Sequence, residues 1–257
     1  MKVTPKKHLG QHFLIDLSIA ERIAASLTGH GGYQHVLEIG PGTGALTDFL
    51  LKNELQLTAI ELDRESVPFL NQKYIGIPNF KVIEGDFLQL DLAEVESGLL
   101  AVTGNFPYNI SSQIFFHILD FHDKVPEVVC MLQKEVAERL VGEKDNGILT
   151  IFLQVWYNVE YLFTVPQYVF NPPPKVMSAV VRLTRNDRIA FQGNEKLFRS
   201  IVKIAFQNRR KTLRNNLKGL NLPVDFLKDS FFDKRAEELS VDEFIKLTND
   251  IEASRKS

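Results

Sequence analysis

The sequence predicts an α/β fold, in which a doubly wound parallel sheet covered by helices is followed by a small C-terminal all-α domain. From Val36 onward, short runs of β-branched residues alternate with longer amphipathic runs, which is typical of parallel strands joined by helices. The predicted strands are VLEI, LTAIE, FKVI, LLAVTG and VPEVVCML, and the predicted helices are ALTDFLLK, SVPFLNQKY, LDLAEVE, SSQIFFHIL and QKEVAERL.

The pattern changes twice in the second half of the chain. After Gly147, ILTIFLQVWYNVEYLFTV and MSAVVRL predict two long strands that close the sheet as an antiparallel pair, joined by the stiff segment PQYVFNPPPKV. Beyond about Asn186, EKLFRSIVKIAFQ, TLRNNL and VDEFIKLTND predict helices and no further strand. We therefore expect a first domain at residues 1–185 and a helical domain at residues 186–257.

The composition excludes several classes of protein. The 257-residue chain has a formal net charge of -2 at pH 7, so only a local basic cluster could attract nucleic acid. The single Cys130 excludes an intramolecular disulfide, and His30, His35, His117 and His122 show no metal-ligand spacing. No apolar run is long enough for a signal peptide or a membrane span. We expect a cytoplasmic monomer without a metal ion or a membrane partner.

A glycine-rich turn, PGTGALT, follows the first predicted strand and leads into a helix. Gly40, Gly42 and Gly44 permit positive φ angles and let the backbone approach a ligand closely. The run GPGTGA also fits the dinucleotide-binding pattern, and Glu61 follows at the spacing of an acid that binds ribose hydroxyls. The turn therefore indicates an adenosine-containing ligand, either a nicotinamide dinucleotide or S-adenosylmethionine. A plain strand-to-helix turn is the alternative.

A second acidic residue, Asp86 in EGDFL, ends the third predicted strand. In an open parallel sheet this position lies at the carboxyl edge, where ligands bind. Its carboxylate could accept a hydrogen bond from the amino group of an adenine. The alternative is a helix-capping aspartate, which is the commoner role for a single Asp before a helix.

The tetrad Asn105, Phe106, Pro107 and Tyr108 follows the fourth predicted strand in TGNFPYNIS. An arylamine nitrogen is a poor nucleophile, and its methylation requires acceptors that fix its two hydrogens. The Asn105 side-chain oxygen and a backbone carbonyl near Phe106 can each accept one. Proline stiffens the loop, and the Tyr108 ring can stack on an adenine that has left its helix. The tetrad therefore predicts methylation of an adenine amine.

Together these motifs resemble the bacterial 16S (small-subunit) ribosomal RNA adenine N6,N6-dimethyltransferases, which are associated with kasugamycin sensitivity. The similarity runs along nearly the whole chain, in KKHLGQHFL, LEIGPGTGALT, ELD, GDFL, GNFPYNIS, MLQKEVAERL, NPPPKVMSAVVRL and RRKTLRNNL. It implies a Rossmann-like S-adenosylmethionine-dependent methyltransferase domain. It also implies dimethylation of two adjacent adenines in the 3'-terminal hairpin loop of 16S ribosomal RNA, within an immature small ribosomal subunit.

The resemblance also implies which residues bind the cofactor: His12, Leu14, Gly40, Gly42, Glu61, Asp86 and Asn105. The family more often has asparagine at the position of His12 and leucine at that of Phe106. Because asparagine and histidine both form hydrogen bonds, we expect the contact at position 12 to persist with altered geometry. The larger ring at position 106 is expected to change the dimensions of the pocket.

Basic residues predict where RNA binds. The stretch from Arg199 to Lys218 contains no acidic residue, and its densest cluster is Arg209, Arg210, Lys211 and Arg214. The other predicted contacts are Lys6, Lys7 and Lys175, the last beside three prolines that could form a stiff wall next to the adenine pocket. The alternative for such clusters is an ordinary solvated helix face.

Three other functions share parts of this pattern. Large-subunit ribosomal RNA adenine methyltransferases of the erythromycin-resistance type have the same fold and tetrad, but they tend to be more basic. A non-catalytic ribosome-assembly factor would keep the fold, although the intact tetrad argues against it. A nicotinamide oxidoreductase would fit the glycine turn alone.

Overall fold

The computed structural model describes residues 3–142, 146–186, 194–220, 222 and 226–256. Contacts divide the chain into two compact units. The sheet unit comprises Met1–Ala137 and Asn158–Arg185, and the helical unit comprises Glu138–Tyr157 and Asn186–Ser257. Within the described residues, no helix is both long and apolar enough to cross a membrane.

The sheet unit is built on a seven-stranded sheet whose strand order is β4-β3-β2-β5-β6-β9-β7. The strands are β2 (His35–Ile39), β3 (Gln56–Glu61), β4 (Phe80–Glu84), β5 (Leu100–Asn105), β6 (Glu127–Gln133), β7 (Tyr157–Val165) and β9 (Ser178–Arg185). The strands β2 to β6 pair in parallel, and β9 pairs antiparallel with β6. The strand order reverses between β2 and β5, and the carboxyl ends of the strands at such a point form the usual ligand crevice of open α/β sheets.

A two-stranded pair joins the N-terminal arm, which comprises the described residues before α1, to the segment before β9. It consists of β1 (Phe13–Leu14) and β8 (Phe170–Asn171), which run antiparallel. This pair was not predicted, because two-residue strands carry no periodic signal. Its consequence is that residues 12–15 lie against residues 169–172.

Helices follow the strands as the amphipathic runs predicted. In the sheet unit they are α1 (Leu17–Ala25), α2 (Thr47–Leu50), α3 (Ser66–Lys73), α4 (Leu92–Val95) and α5 (Ser111–Asp120), and α6 (Lys134–Leu140) crosses into the helical unit. In α1, Ile19, Ala20, Ile23 and Ala24 are buried at helical spacing. The predicted strands and helices between Val36 and Leu140 are therefore confirmed.

The prediction of one long strand over ILTIFLQVWYNVEYLFTV is wrong in its first half. That half forms α7 (Ile148–Trp156), and β7 begins only at Tyr157. Residues 149–153 and Val155 are all buried, so the helix is apolar on nearly every side. A run in which almost every residue is apolar cannot be told from a buried strand by pattern alone. The second predicted strand, MSAVVRL, is confirmed as β9.

The helical unit contains α7 and the three helices predicted after Asn186. These are α8 (Glu195–Phe206), α9 (Leu213–Leu217) and α10 (Val241–Lys256). The side chain of Asn194 accepts a hydrogen bond from the Leu197 N–H and caps α8. Buried residues at positions 198, 201, 202 and 205 form the apolar stripe of α8.

Candidate functional site

A cavity of about 400 Å³ lies at the carboxyl ends of β2, β3, β4 and β5, within the sheet unit. Its volume is in the usual range for small-molecule sites. Its lining includes His12, Gly40, Gly42, Glu61, Asp86, Asn105, Phe106 and Pro107 among the predicted site residues. The structure therefore brings to one cavity eight residues that are spread over almost a hundred positions of sequence.

The glycine turn forms one wall of the cavity. Gly40 has φ +65°, in the left-handed region, and a Cβ added to it would meet no atom within 4 Å. The Gly40 N–H donates to the Ile60 carbonyl at 2.9 Å, which ties the turn to β3. The backbone of Gly40 is therefore accessible from the cavity.

Glu61 ends β3 and is 4% exposed. Its carboxylate accepts from the Gly42 N–H at 3.0 Å and from the Asp63 N–H at 2.8 Å. Burial raises the pKa of Glu61 above its ordinary value, and these backbone hydrogen bonds oppose that rise. Glu61 therefore joins the glycine turn to β3 as well as lining the cavity.

Asp86 caps a turn and also lies at the cavity, so its capping role is confirmed and its role as a ligand acceptor stays a prediction. Its Oδ1 accepts from the Leu88 N–H at 2.9 Å and caps a short helical turn. Asp86 also lines the cavity. Because a carboxylate has two oxygens, capping through Oδ1 leaves Oδ2 to serve as an acceptor for a ligand.

Gly104 is a site residue that sequence reasoning missed. A Cβ on Gly104 would lie 2.5 Å from the backbone oxygen of Ile39 on the neighbouring strand β2. Only glycine therefore fits where β2 and β5 come together, immediately before Asn105. The glycine at the end of a predicted strand in TGN was the available signal.

Asn105 is oriented by the N-terminal arm. Its Nδ2 donates to the His12 carbonyl at 3.0 Å. A carbonyl can only accept, so the amide nitrogen faces the arm and Oδ1 is left to accept from another donor. The side chain thus has the orientation that the predicted role of Asn105 requires.

Phe106 points its ring into the core, where it is 1% exposed and meets Phe115 edge to face with centroids 5.7 Å apart. The Phe106 N–H donates to the Met131 carbonyl at 2.9 Å. The Pro107 carbonyl accepts from the Ile110 N–H at 3.1 Å in the turn that leads into α5. The backbone of the tetrad is therefore held from both sides.

Tyr108 does not line the large cavity, and its ring is fixed by two neighbours. Its hydroxyl lies 2.5 Å from the Ser178 Oγ, and its ring stacks on that of His12 with centroids 5.7 Å apart. Burial raises the pKa of Tyr108, and the Ser178 hydrogen bond opposes this. Ser178, on β9, was also missed, because no local motif links it to a loop 70 positions earlier.

His12 and Leu14 are placed by the β1–β8 pair. The Nδ1 of His12 lies 2.7 Å from the Pro172 carbonyl, so Nδ1 carries the proton and donates. Leu14 is buried and lines a second cavity of about 40 Å³, together with Gly40 and Asn105, rather than the large one.

The predicted RNA contacts differ in their surroundings. The Nζ of Lys6 pairs with Asp63 at 2.5 Å and with Glu65 at 3.2 Å, so its charge holds the arm at the end of β3. The side chains of Lys7 and Lys175 are exposed.

The four basic residues of the helical unit that were predicted to contact RNA also differ in their surroundings. Arg209, Arg210 and Lys211 are exposed in the turn between α8 and α9, and no described acidic side chain pairs with them. Arg214 instead donates to Asp233 Oδ1 at 2.8 Å and to the Leu227 carbonyl at 2.5 Å. Arg214 therefore stabilises the helical unit internally.

Glu38 is a buried acid beneath the glycine turn, and it also lines the small cavity. The Thr47 hydroxyl donates to its Oε2 at 2.6 Å. Burial raises the pKa of Glu38 to about 8, against the opposing effect of this hydrogen bond. Glu38 is consequently a neutral carboxylic acid at neutral pH.

Comparison with known proteins gives one consistent family. The model of the family described as "Ribosomal RNA adenine dimethylase" matches residues 3–252. The chain is 52% identical to the ribosomal RNA small subunit methyltransferase A of Cytophaga hutchinsonii, over 96% of this chain and 97% of that one. It is 54% identical to the protein of the same name from Parabacteroides distasonis, over 96% of this chain and 93% of that one.

Two solved structures have the same fold over almost their whole length. A dimethyladenosine transferase from Plasmodium falciparum is 28% identical with a TM-score of 0.78, covering 95% of this chain and 98% of its own. The 23S rRNA methyltransferase ErmE is 26% identical with a TM-score of 0.76, covering 93% of this chain and 99% of its own. The Rossmann-like architecture is therefore shared with ribosomal RNA methyltransferases.

The buried Glu38 predicts a pH-dependent stability. Between the ordinary pKa of 4.5 and about 8, the unfolded chain loses the Glu38 proton while the folded chain keeps it. Ionisation of the unfolded state therefore destabilises the fold progressively across that window, by about 5 kcal/mol in total. Glu38→Gln removes this contribution, so its free energy of unfolding should rise relative to wild type between pH 5 and pH 8.

Urea denaturation at a series of pH values measures this difference. Glu54→Gln, at an exposed glutamate of the same unit, should run parallel to wild type and serves as the control. Parallel curves for Glu38→Gln and wild type would contradict the assignment of a neutral Glu38.

Proposed function

The chain belongs to the ribosomal RNA adenine dimethylase family, and on that premise we propose that it transfers methyl groups from S-adenosylmethionine to N6 of adenine in small-subunit ribosomal RNA. One observation carries the proposal. The Asn105 amide nitrogen donates to the His12 carbonyl, so its oxygen is left to accept at the wall of the cavity that Gly40, Glu61 and Asp86 also line.

The cavity fits the proposed cofactor. Gly40 leaves room that a Cβ would fill, so ligand atoms can lie against the backbone. Glu61 is the acceptor for the ribose hydroxyls, and Asp86 is the acceptor for the adenine amine. Gly42 and His12 also line the cavity, and Leu14 lines the smaller cavity next to the glycine turn. When bound, the cofactor supplies an electrophilic methyl group.

The tetrad prepares the nucleophile. Asn105 Oδ1 and the Phe106 carbonyl accept the two N6 hydrogens of the target adenine, which localises the nitrogen lone pair and aims it. Pro107 keeps the two acceptors aligned by restricting the loop. Tyr108 offers a ring face to the flipped adenine, and its position is fixed through Ser178. No strong base is needed before transfer, since the methylated ammonium is acidic and loses its proton readily.

We assign the contacts with RNA phosphates to two groups of basic residues. Arg209, Arg210 and Lys211 neutralise phosphates from the helical domain at residues 186–257, and Lys7 and Lys175 do so from the catalytic domain at residues 1–185. Lys6 and Arg214 act indirectly, through the arm and through the fold of the helical unit.

The finer assignment is the pair of adjacent adenines in the 3'-terminal hairpin loop of 16S ribosomal RNA, dimethylated by a cytoplasmic monomer in an immature small subunit. Its support is the identity above 50% with proteins named for the small subunit, against 26% with the 23S enzyme ErmE. The large-subunit activity is the second candidate, because ErmE has the same fold.

The deciding experiment incubates the purified protein with labelled S-adenosylmethionine and with separated small and large subunits from a strain that lacks this methylation. We expect label only in the small subunit, recovered as N6,N6-dimethyladenosine after digestion of the RNA. Label only in the large subunit would replace the proposal with the second candidate. Cofactor binding without any incorporation would point to a non-catalytic assembly factor.

Removal of the Asn105 amide tests the chemical step. Asn105→Ala should lower the rate of methyl transfer by roughly 10²-fold or more, because one of the two acceptors that aim the nitrogen is lost. RNA binding, measured by filter retention of small subunits, should stay within about twofold of wild type. Full activity in this variant would refute the role of Asn105.

Charge reversal at Arg209 and Arg210, in the turn between α8 and α9, tests the proposed contacts with RNA. Arg209→Glu and Arg210→Glu, made singly, should weaken binding of small subunits and reduce the slope of log affinity against log salt by about 1 for each lost phosphate contact. Lys246→Glu makes the same charge change at an 80% exposed lysine side chain of the same unit and is the control. An unchanged salt slope would remove Arg209 and Arg210 from the RNA interface.

A further inference from the structure

An exposed apolar patch lies on the sheet unit. It is formed by Ile15, Tyr168, Val176 and Met177, of which Tyr168 is 78% and Ile15 is 57% exposed. Isolated apolar residues at a surface are ordinary, but a group of them that includes a large aromatic ring marks a binding surface. Tyr168 lines neither the large cavity nor the small one.

Hydrogen bonds fix the backbone of the segments that carry these residues. The Ile15 N–H donates to the Val169 carbonyl at 2.9 Å, which places Ile15 beside the residue that follows Tyr168. The Gln167 side chain donates to the Lys175 carbonyl at 3.5 Å, which brings the two ends of residues 167–175 together. The Met177 carbonyl in turn accepts from the backbone of Lys134 at 2.9 Å. The exposed ring of Tyr168 therefore lies on a segment whose backbone is fixed by hydrogen bonds.

The chain segment that carries Tyr168 and Met177 also contacts the proposed catalytic loop and the N-terminal arm. Ser178, next to Met177, binds the hydroxyl of Tyr108. The Pro172 carbonyl binds the ring of His12, whose own carbonyl orients Asn105. The same chain segment thus carries the exposed ring and positions two members of the tetrad.

The chemistry of the patch fits single-stranded nucleic acid. Residues 165–178 contain no acidic side chain, and Lys175 supplies an exposed positive charge. An exposed aromatic ring and an exposed lysine on one segment, which carries no carboxylate of its own, can stack a base and neutralise its phosphate. Extrusion of the target adenine also leaves its neighbour in the RNA loop without a stacking partner.

We propose that Tyr168 stacks on the base of the unpaired nucleotide adjacent to the target adenine, while Lys175 contacts its phosphate. This role rests on the proposed function and deepens it, because Tyr168 becomes a determinant of which nucleotide enters the pocket. Stacking requires a ring and not a hydroxyl, so phenylalanine or tryptophan can replace Tyr168.

Steady-state methyl transfer to unmethylated small subunits tests the role of the ring. Tyr168→Ala should lower kcat/KM by about tenfold or more, as expected for the loss of one base–aromatic stack. Tyr168→Phe and Tyr168→Trp should stay within about twofold of wild type. Ile75→Ala, at an 82% exposed isoleucine of the same unit, should have no effect. Loss of activity in Tyr168→Phe equal to that in Tyr168→Ala would overturn the stacking role.

Photo-cross-linking identifies the occupant without relying on turnover. The protein with p-benzoylphenylalanine in place of Tyr168 should cross-link to ribosomal RNA at the nucleotide beside the methylated adenines. A cross-link only to a ribosomal protein would overturn the proposal in favour of a protein partner. A wild-type protein that transfers no methyl group to small subunits overturns the proposed function itself. An active wild type with an equally active Tyr168→Ala variant overturns the stacking role alone.

Discussion

The close approach of β2 and β5 at the point where the strand order reverses is the constraint on which the site depends. Ile39 and Gly104 are partners in the parallel ladder, and the space between them excludes even a methyl group. Because β2 continues into Gly40 and β5 ends at Asn105, this ladder sets the separation between the glycine turn and the catalytic loop. Glycine at position 104 is therefore a condition for the site, although its own side chain contributes no chemistry.

A second set of contacts fixes the loop from the opposite side. The N-terminal arm reaches Asn105 through the His12 carbonyl, and β9 reaches Tyr108 through Ser178. The arm itself is held by the β1–β8 pair and by the ion pair between Lys6 and Asp63. Under the proposed mechanism, these ordered acceptors would align a neutral amine nucleophile, which needs alignment more than removal of a proton.

The parts of this structure that were predictable are those whose geometry is local. Glycines after a strand allow a tight turn, and an acid at the end of a parallel strand lies at the ligand-binding edge of the sheet. The cavity wall was therefore foreseeable from Gly40, Glu61 and Asp86. The contact between His12 and Pro172 spans 160 positions and has no local signature. The helix α7 was missed for another reason, because an almost continuous apolar run fits a buried strand as well as a buried helix.

Burial also removes several acidic side chains from the surface of this chain, whose formal net charge is -2. Glu61, Asp63 and Glu127 are each less than 5% exposed, and Glu38 is neutral at pH 7. Glu127, for example, accepts hydrogen bonds from Thr28, Gly29 and Tyr33 at the end of the sheet opposite the cavity. These acids count toward the formal charge but stabilise internal turns and strand ends. On the proposed function, a phosphate would meet the exposed cations at positions 209–211, with which no acidic side chain pairs among the described residues.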